Sequence, residues 1–261
     1  MVVITSNERD VIFDAVRGMY TEVARYPERG FHFLIGRPAC EFVGYPSEVL
    51  DELPARAVES FAGVGYPFQA DAIRPGDTVL DIGSGAGTDA FTALRGVGPD
   101  GEVIGLDMTD AMREKLRATA EALGETRIRL IDANAESIPL PDASVDVVTS
   151  NGVINLVPDK PAAVAEIFRV LRPGGRVQIA DIVLTEPPSP ACRTQPELWA
   201  ECIVGATTEP EYLEYFREAG FEDVDRIDSL DYFESSRSEE TRKLANDLGA
   251  GSIVMRGRKP E

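Results

Sequence analysis

A glycine-rich segment preceded by an acidic residue is the first part of this 261-residue chain that could do chemistry. In VLDIGSGAG, residues 79–87, Asp81 ends an apolar run, and Gly83, Gly85 and Gly87 lead into a helix-like stretch. Glycines lack a Cβ and let the backbone pass close to a ligand, which the amides of a helix N-terminus then face. The spacing G-x-G-x-G differs from the dinucleotide pattern G-x-G-x-x-G. Because Asp81 comes just before the loop, the pattern favours a ligand with a cationic end over a pyrophosphate.

Further polar positions stand where later apolar runs end. Asp107 closes the second run, Asp132 follows the third, and Asn151 with Gly152 follows the fourth. In doubly wound folds, an acid at the end of the second strand accepts hydrogen bonds from a ribose diol. Asp132 could accept from an adenine amino group, and Ala133 could offer its backbone amide to the ring. Each acid taken singly could instead cap a helix, but their common order predicts that they surround one ligand.

The elements that would position these residues alternate along the middle of the chain. Short apolar runs are separated by helix-like stretches such as 110–123 and 160–171, and the runs are TVLDI, EVIGL, RIRLI, VDVVTS and RVQIADIVL. The LRPGG segment before the fifth run predicts a turn. This alternation predicts an α/β fold with a doubly wound, Rossmann-like, mostly parallel sheet covered by helices on both faces. Two late runs, FEDVDRI and SIVMRGR, predict an antiparallel edge.

Turn-rich breaks divide the chain into two main regions. Residues 1–74 contain a helix-like stretch at 9–25 and are predicted to form an N-terminal helical cap. Residues 75–261 are predicted to form the ligand-binding domain, with a C-terminal extension at 185–261.

Charge and composition exclude several classes of partner. The chain has 26 Lys and Arg against 45 Asp and Glu, a formal charge of −19 that would repel nucleic acid. No apolar run approaches the roughly 20 residues of a membrane span, and no secretory signal opens the chain. We therefore expect a cytoplasmic protein without a membrane partner. The cysteines Cys40, Cys192 and Cys202 form no C-x-x-C pattern, so no metal site is expected.

The region 71–183 resembles the class I S-adenosylmethionine-dependent methyltransferases through VLDIGSGAG, Asp107, the Asp132–Ala133 pair and LRPGG. The resemblance implies S-adenosylmethionine as cofactor and S-adenosylhomocysteine as product. It also implies that Asn151 lies beneath the methyl group. The other implied roles are the methionine end for Asp81, Gly83, Ser84, Gly85 and Gly87, the ribose and adenine edge for Asp107 and Met108, and the base for Asp132 and Ala133.

Four further segments, DMTDAMREKLR, SNGVINLVPDK, ELWAECIVGA and EYLEYFREAGFEDV, resemble the arsenite methyltransferase family, in which cysteine thiolates hold trivalent arsenic. Cys202 and Cys40 match two family cysteines, whereas Gly152 and Val64 stand at two others. The resemblance therefore implies methyl transfer to a small-molecule acceptor by in-line displacement. The alternatives are arsenite methylation with an altered cysteine set, and a non-catalytic protein that only binds S-adenosylmethionine.

Two residues are candidates for the chemistry itself. His32, in GFHFLIGR, is the only histidine and could act as a general base toward an acceptor hydroxyl. Its alternative is a structural histidine between two phenylalanines. Cys202 could place a thiolate beside the acceptor, and its alternative is a small buried side chain.

Overall fold

The computed structural model describes residues 6–188, 199 and 203–261 of the protein. The strands are β1 (Thr78–Ile82), β2 (Glu102–Asp107), β3 (Ile128–Asp132), β4 (Val145–Asn151), β5 (Leu171–Val183), β6 (Glu222–Leu230) and β7 (Gly251–Arg258). The helices are α1 (Ser6–Arg25), α2 (Arg37–Phe42), α3 (Ser47–Glu52), α4 (Ala55–Val58), α5 (Thr88–Val97), α6 (Asp110–Ala122), α7 (Lys160–Val170), α8 (Glu209–Glu218) and α9 (Glu239–Leu248). None of these helices is long and apolar enough to cross a membrane.

The described strands form one seven-stranded sheet in the order β3-β2-β1-β4-β5-β7-β6. Strands β1 to β5 pair in parallel, while β7 pairs antiparallel with both β5 and β6. The predicted doubly wound sheet with an antiparallel edge is therefore confirmed. The strand order changes direction between β1 and β4, and ligands of such sheets bind in the crevice at the carboxyl ends of those strands.

The apolar runs form a buried sheet because alternate residues point to opposite, covered faces. Val79 and Val147 belong to an apolar cluster on one face, and their neighbours Leu80 and Val148 belong to a cluster on the other. The first cluster also contains residues of α1 to α4, such as Val16. The N-terminal region thus packs directly on the sheet, and its boundary at residue 74 stays a prediction.

The LRPGG segment lies at the start of β5 and interrupts its pairing with β4. The register passes from Val145 opposite Leu171 to Val147 opposite Arg176, so the intervening residues of β5 loop out. Gly174 in this loop has a φ of 74°, a left-handed conformation that glycine adopts without a Cβ clash. The predicted turn is present, but as an irregularity inside the strand.

Candidate functional site

A cavity with an empty volume of about 940 Å³, part of it open to solvent, lies at the carboxyl ends of β1, β2 and β4. The glycine-rich loop and the residues after β2 and β3 form one side of it. The end of β4 and the following 3-10 turn, Ile154–Leu156, form a second side. Helix α1 and the segment after α4 close it with Phe13, Val16, Tyr20, Ser60, Phe61, Ala62 and Gly63.

The glycine-rich loop lies at the bottom of this pocket because its backbone takes conformations reserved for glycine. Gly83 has a φ of 73° and Gly85 a φ of 51°. A Cβ placed on Gly83 would lie 2.3 Å from Cγ2 of Val153. The amide of Gly83 donates to the carbonyl of Leu106 at 2.7 Å, which joins the loop to the end of β2. Gly83, Ser84 and Gly85 all line the pocket, and their contact with the methionine end of the cofactor stays a prediction.

Asp107 lies at the end of β2 and lines the pocket. One carboxylate oxygen accepts from the amide of Gly85 at 2.9 Å, and the other accepts from the amide of Thr109 at 2.7 Å. Burial raises the pKa of Asp107, and these two amides oppose that effect. The side chain is therefore held in one orientation, and each oxygen keeps a lone pair for a ligand hydroxyl.

Asp81 lies at the edge of the pocket, although its side chain does not line it. It is 1% exposed, and its Oδ2 atom has no hydrogen-bond partner among the described residues. Burial raises its pKa well above the usual range, and the charges of Asp89 and Asp107 add to this effect. A buried carboxyl oxygen without a donor is stabilised by a nearby cation, so this position suits a ligand with a cationic end in the adjacent pocket.

Two other predicted cofactor residues also lie away from the lining. The Asp132 side chain is 70% exposed and forms an ion pair with Arg113 at 2.9 Å. Gly87 caps the N-terminus of α5, and a Cβ placed there would lie 2.4 Å from Cδ1 of Leu116. Gly87 thus permits close packing of α5 on α6. Met108 and Ala133 do line the pocket.

Asn151 lines the pocket and also connects β4 to the N-terminal region. Its Oδ1 accepts from the amides of Val64 at 2.7 Å and Gly65 at 3.2 Å. Its Nδ2 donates to the carbonyl of Gly65 at 2.9 Å and to Oδ2 of Asp89 at 3.1 Å. The sequence predicted Asn151 near the ligand but carried no sign of this second set of partners.

Asp89, in the first turn of α5, is a pocket residue that the sequence interpretation missed. It is buried, and the Tyr45 hydroxyl donates to it. Burial raises the pKa of Asp89 to about 6, while the hydrogen bonds from Tyr45 and Asn151 lower it. Its position just after Gly87 was the available signal. The lining residues of α1 and of 60–63 are apolar or small and offered no such signal.

His32 lies outside the main pocket, in a smaller cavity beside it. That cavity is also lined by Phe33, Tyr232 and Phe233, and it shares Tyr20 and Ala62 with the main pocket. The His32 ring packs edge-on against Phe33, with ring centroids 4.6 Å apart.

The cysteines give a mixed result. Cys202 and Cys192 lie outside the described residues. Cys40 is fully buried in α2, and burial raises the pKa of its thiol, which makes it a poor nucleophile. Among the described residues, no group of three His, Cys, Asp or Glu side chains is arranged to hold a metal ion.

Val64 and Gly152, the two positions where the arsenite methyltransferase resemblance places further cysteines, are in contact. A Cβ placed on Gly152 would lie 3.2 Å from Cγ1 of Val64. The space beside Gly152 is therefore filled by the apolar Val64 side chain, and the φ of 74° at Gly152 would strain any side chain placed there.

Comparisons with known proteins agree with this geometry. A methyltransferase domain family matches residues 73–220. The arsenite methyltransferase of Halobacterium salinarum is 40% identical over 185 residues, which are 71% of this chain and 47% of that protein. The chain thus spans about half the length of the curated relatives it matches.

Solved structures show the same fold. An arsenic(III) S-adenosylmethionine methyltransferase from Chlamydomonas reinhardtii is 31% identical, with a TM-score of 0.69 over 82% of this chain and 73% of that one. Geranyl diphosphate C-methyltransferase from Streptomyces coelicolor A3(2) is 21% identical, with a TM-score of 0.60 over 92% of this chain and 98% of that one. The chain therefore belongs to the methyltransferase domain family and has the fold of the class I S-adenosylmethionine-dependent methyltransferases.

Proposed function

We propose that the protein transfers a methyl group from S-adenosylmethionine to a small-molecule acceptor. The observation that carries this proposal is the pocket lined by the glycine-rich loop and Asp107, with the buried carboxyl group of Asp81 next to the lining residue Ile82. When bound, S-adenosylmethionine supplies an electrophilic methyl group on a sulfonium. The protein holds the acceptor in line with that group at about 3 to 3.5 Å and excludes water.

The residues fit the cofactor in the following way. The backbone of Gly83 to Gly85 receives the methionine end, and the ionised form of Asp81 is stabilised by its ammonium group. Asp107, fixed by two backbone amides, accepts from the ribose diol. Met108 and Ala133 border the base, and Asp132 reaches only its outer edge because its side chain points to solvent.

The described part of the acceptor side is mainly apolar. Phe13, Val16 and Phe61 face Gly152 and Leu156 across the pocket. Such an apolar surface suits an organic acceptor. It also suits a reaction in which charge is lost, because a dry site favours loss of charge. The smaller cavity would place His32 beside any part of the acceptor that passes Tyr20 and Ala62, where it could accept a proton. Cys202 remains the candidate thiol from the sequence, and it lies outside the described residues.

Arsenite is a second candidate acceptor. It is favoured by the 40% identity to a protein named arsenite methyltransferase and by Cys202. It is opposed by the apolar contact between Val64 and Gly152, which removes two thiols from the site. Soft trivalent arsenic binds through several thiolates, so loss of two of them weakens the chelate.

Cofactor binding is tested by calorimetric titration with S-adenosylhomocysteine. We expect Asp107→Ala to weaken binding about 100-fold, since hydrogen bonds to a charged acceptor contribute about 1.5 to 3 kcal/mol each. Asp132→Ala is the matched control and should change the affinity much less, because that carboxylate is exposed. Equal affinities for the wild type and Asp107→Ala would refute the ribose role.

The acceptor is identified with methyl-labelled S-adenosylmethionine and separate panels of thiols, phenols, carboxylates and arsenite with thiol. We expect label on an organic acceptor in the wild type. We expect arsenic methylation to appear or rise in Val64→Cys/Gly152→Cys, with each single variant as control. Labelled arsenic from the wild type that disappears in Cys202→Ser would establish the arsenite alternative. Tight binding without any turnover would favour a non-catalytic protein.

A further inference from the structure

We infer that Asp89 is a positioning residue that fixes the pocket wall formed by residues 60–65 and thereby sets the distance between acceptor and cofactor. This inference rests on the proposed function, because the wall matters only if an acceptor binds against it. Its structural part, that Asp89 holds the wall through Asn151 and Tyr45, can be measured without any turnover.

The wall, residues 60–65, contributes Ser60, Phe61, Ala62 and Gly63 to the lining of the pocket. One end is tied to α6, where Nζ of Lys115 donates to Oγ of Ser60 at 2.6 Å. The other end is tied to β4 by the Asn151 side chain.

The wall lies very close to the sheet. A Cβ placed on Gly63 would lie 2.6 Å from Cγ of Asn151, and one placed on Gly65 would lie 2.6 Å from Cβ of Ala180. A displacement of the Asn151 amide is therefore transmitted directly to the backbone of the wall.

The Asn151 amide holds the wall only in one of its two orientations. Its oxygen must face the amides of Val64 and Gly65, and its nitrogen must face the carbonyl of Gly65. A side-chain amide turned by 180° would present its nitrogen to two N–H groups and lose these bonds.

Asp89 selects the correct orientation because a carboxylate only accepts hydrogen bonds. Its Oδ2 accepts from Nδ2 of Asn151 at 3.1 Å, and its other oxygen accepts from the Tyr45 hydroxyl. The Nδ2 atom of Asn151 also donates to the Tyr45 hydroxyl at 3.2 Å, so the three side chains form a closed hydrogen-bond network. All of them are buried or half-buried, where such bonds are strong and a mispaired donor is costly.

The first experiment measures hydrogen exchange by mass spectrometry on the wild type, Asp89→Ala and Tyr45→Phe. The control is Tyr66→Phe, which removes a hydroxyl from the ring that packs on Tyr45 with centroids 4.6 Å apart. We expect peptides covering 60–66 to exchange faster in Asp89→Ala and, to a smaller extent, in Tyr45→Phe, but not in Tyr66→Phe. Unchanged exchange in 60–66 in Asp89→Ala would overturn the inference, whatever the turnover.

The second experiment separates positioning from general damage by steady-state kinetics. In Asp89→Ala we expect kcat/KM for the acceptor to fall about 10- to 100-fold, the scale of a displacement of about 1 Å. The affinity for S-adenosylhomocysteine should change less than about 3-fold. Asp89→Asn should recover only part of the activity, since its carbonyl can accept from Asn151 but its amide nitrogen cannot accept from the Tyr45 hydroxyl, which then loses its acceptor.

The positioning role of Asp89 and the proposed function can be refuted separately. An affinity for S-adenosylhomocysteine that falls as far as kcat/KM would show a direct contact between Asp89 and the cofactor and would overturn the positioning role. A wild type that turns over no acceptor would refute the proposed function, whereas faster exchange in 60–66 with unchanged affinity would still support the role of Asp89 in holding the wall.

Discussion

At the scale of single residues, the buried carboxyl groups carry the most information about this protein. Besides the acids of the pocket, Asp181 is fully buried on β5. It accepts from the Tyr212 hydroxyl at 2.8 Å, the amide of Asn155 at 3.0 Å and the amide of Ile182 at 2.9 Å. The bond to Asn155 holds the 3-10 turn whose Leu156 lines the pocket. Asp181 thus stabilises the side of the pocket that this 3-10 turn forms.

Asp181 should make the stability of the protein depend on pH. Burial raises its pKa to about 6 from 3.8, so the folded protein keeps this proton to a higher pH than the unfolded chain does. The stability associated with that form is present below about pH 4 and is lost as the pH rises to about 6, by up to about 3 kcal/mol. We expect Asp181→Asn to lose a hydrogen bond at every pH but also to lose this pH dependence.

The measurement is the free energy of unfolding in urea at pH 4, 5.5 and 7 for the wild type and Asp181→Asn. The free energy of unfolding of Asp181→Asn, relative to that of the wild type, should increase as the pH rises. Asn246→Ala, at an exposed position of α9, removes no titratable group; it is the control and should run parallel to the wild type. Parallel curves for Asp181→Asn as well would show that this carboxyl group titrates normally.

At the scale of elements, α5 shows how a glycine serves packing as well as binding. Gly87 precedes the helix with a φ of 107°, and Gly98 follows it with a φ of 66°. A Cβ on Gly87 would lie 2.4 Å from Cδ1 of Leu116, whereas one on Gly98 would have no atom within 4 Å. Both caps therefore have a positive φ, but Gly87 is left-handed helical with a ψ of 13°, whereas Gly98, with a ψ of −165°, lies in a region that essentially only glycine populates, and the two differ in the space around them.

Alanine at the two caps should separate these effects. Gly98→Ala should cost about 1 to 3 kcal/mol of stability, the strain of a Cβ on a backbone conformation that essentially only glycine populates. Gly87→Ala should cost about 1 to 3 kcal/mol more, because the methyl group overlaps α6 and forces it to move. Urea unfolding of the two variants measures the difference, and equal losses would show that α6 adjusts without cost.

At the scale of the whole molecule, one pocket joins the N-terminal region to the sheet. Phe13, Val16 and Tyr20 of α1 line the same cavity as the glycine-rich loop, although they lie far from that loop in the sequence. Lys115 of α6 also links the two parts, since its Nζ donates to the carbonyl of Ala24 at 3.1 Å and forms an ion pair with Glu59 at 2.7 Å. A ligand in the pocket would therefore contact both parts.

Binding of S-adenosylhomocysteine should stabilise both parts together. At 100 times its dissociation constant we expect about 2.7 kcal/mol of added stability, as for any ligand that binds only the folded state. Hydrogen exchange should slow in 83–89 and in 13–20, with α9 as the internal reference. Protection of 83–89 alone would show that α1 takes no part in binding.

The sequence by itself determined the sheet, its antiparallel edge, the glycine-rich loop and the place of Asp107. These features depend on local spacing, because an apolar run that ends in an acid or a glycine can be recognised in the sequence without knowing how the rest of the chain packs. The family resemblance followed from the same local motifs. The helix-like stretches at 110–123 and 160–171, which form α6 and α7, were recognisable for the same reason.

Only the tertiary structure decided which side chains face the ligand. It turned Asp132 to solvent beside Arg113, and it placed His32 in a neighbouring cavity. It joined Asn151 to Asp89 and to the wall of residues 60–65. Periodicity shows that a residue is apolar or polar on its element, but not which distant segment packs opposite it. Contacts across 60 to 90 residues of sequence, such as Asn151 to Asp89 and to Val64, arise from packing alone.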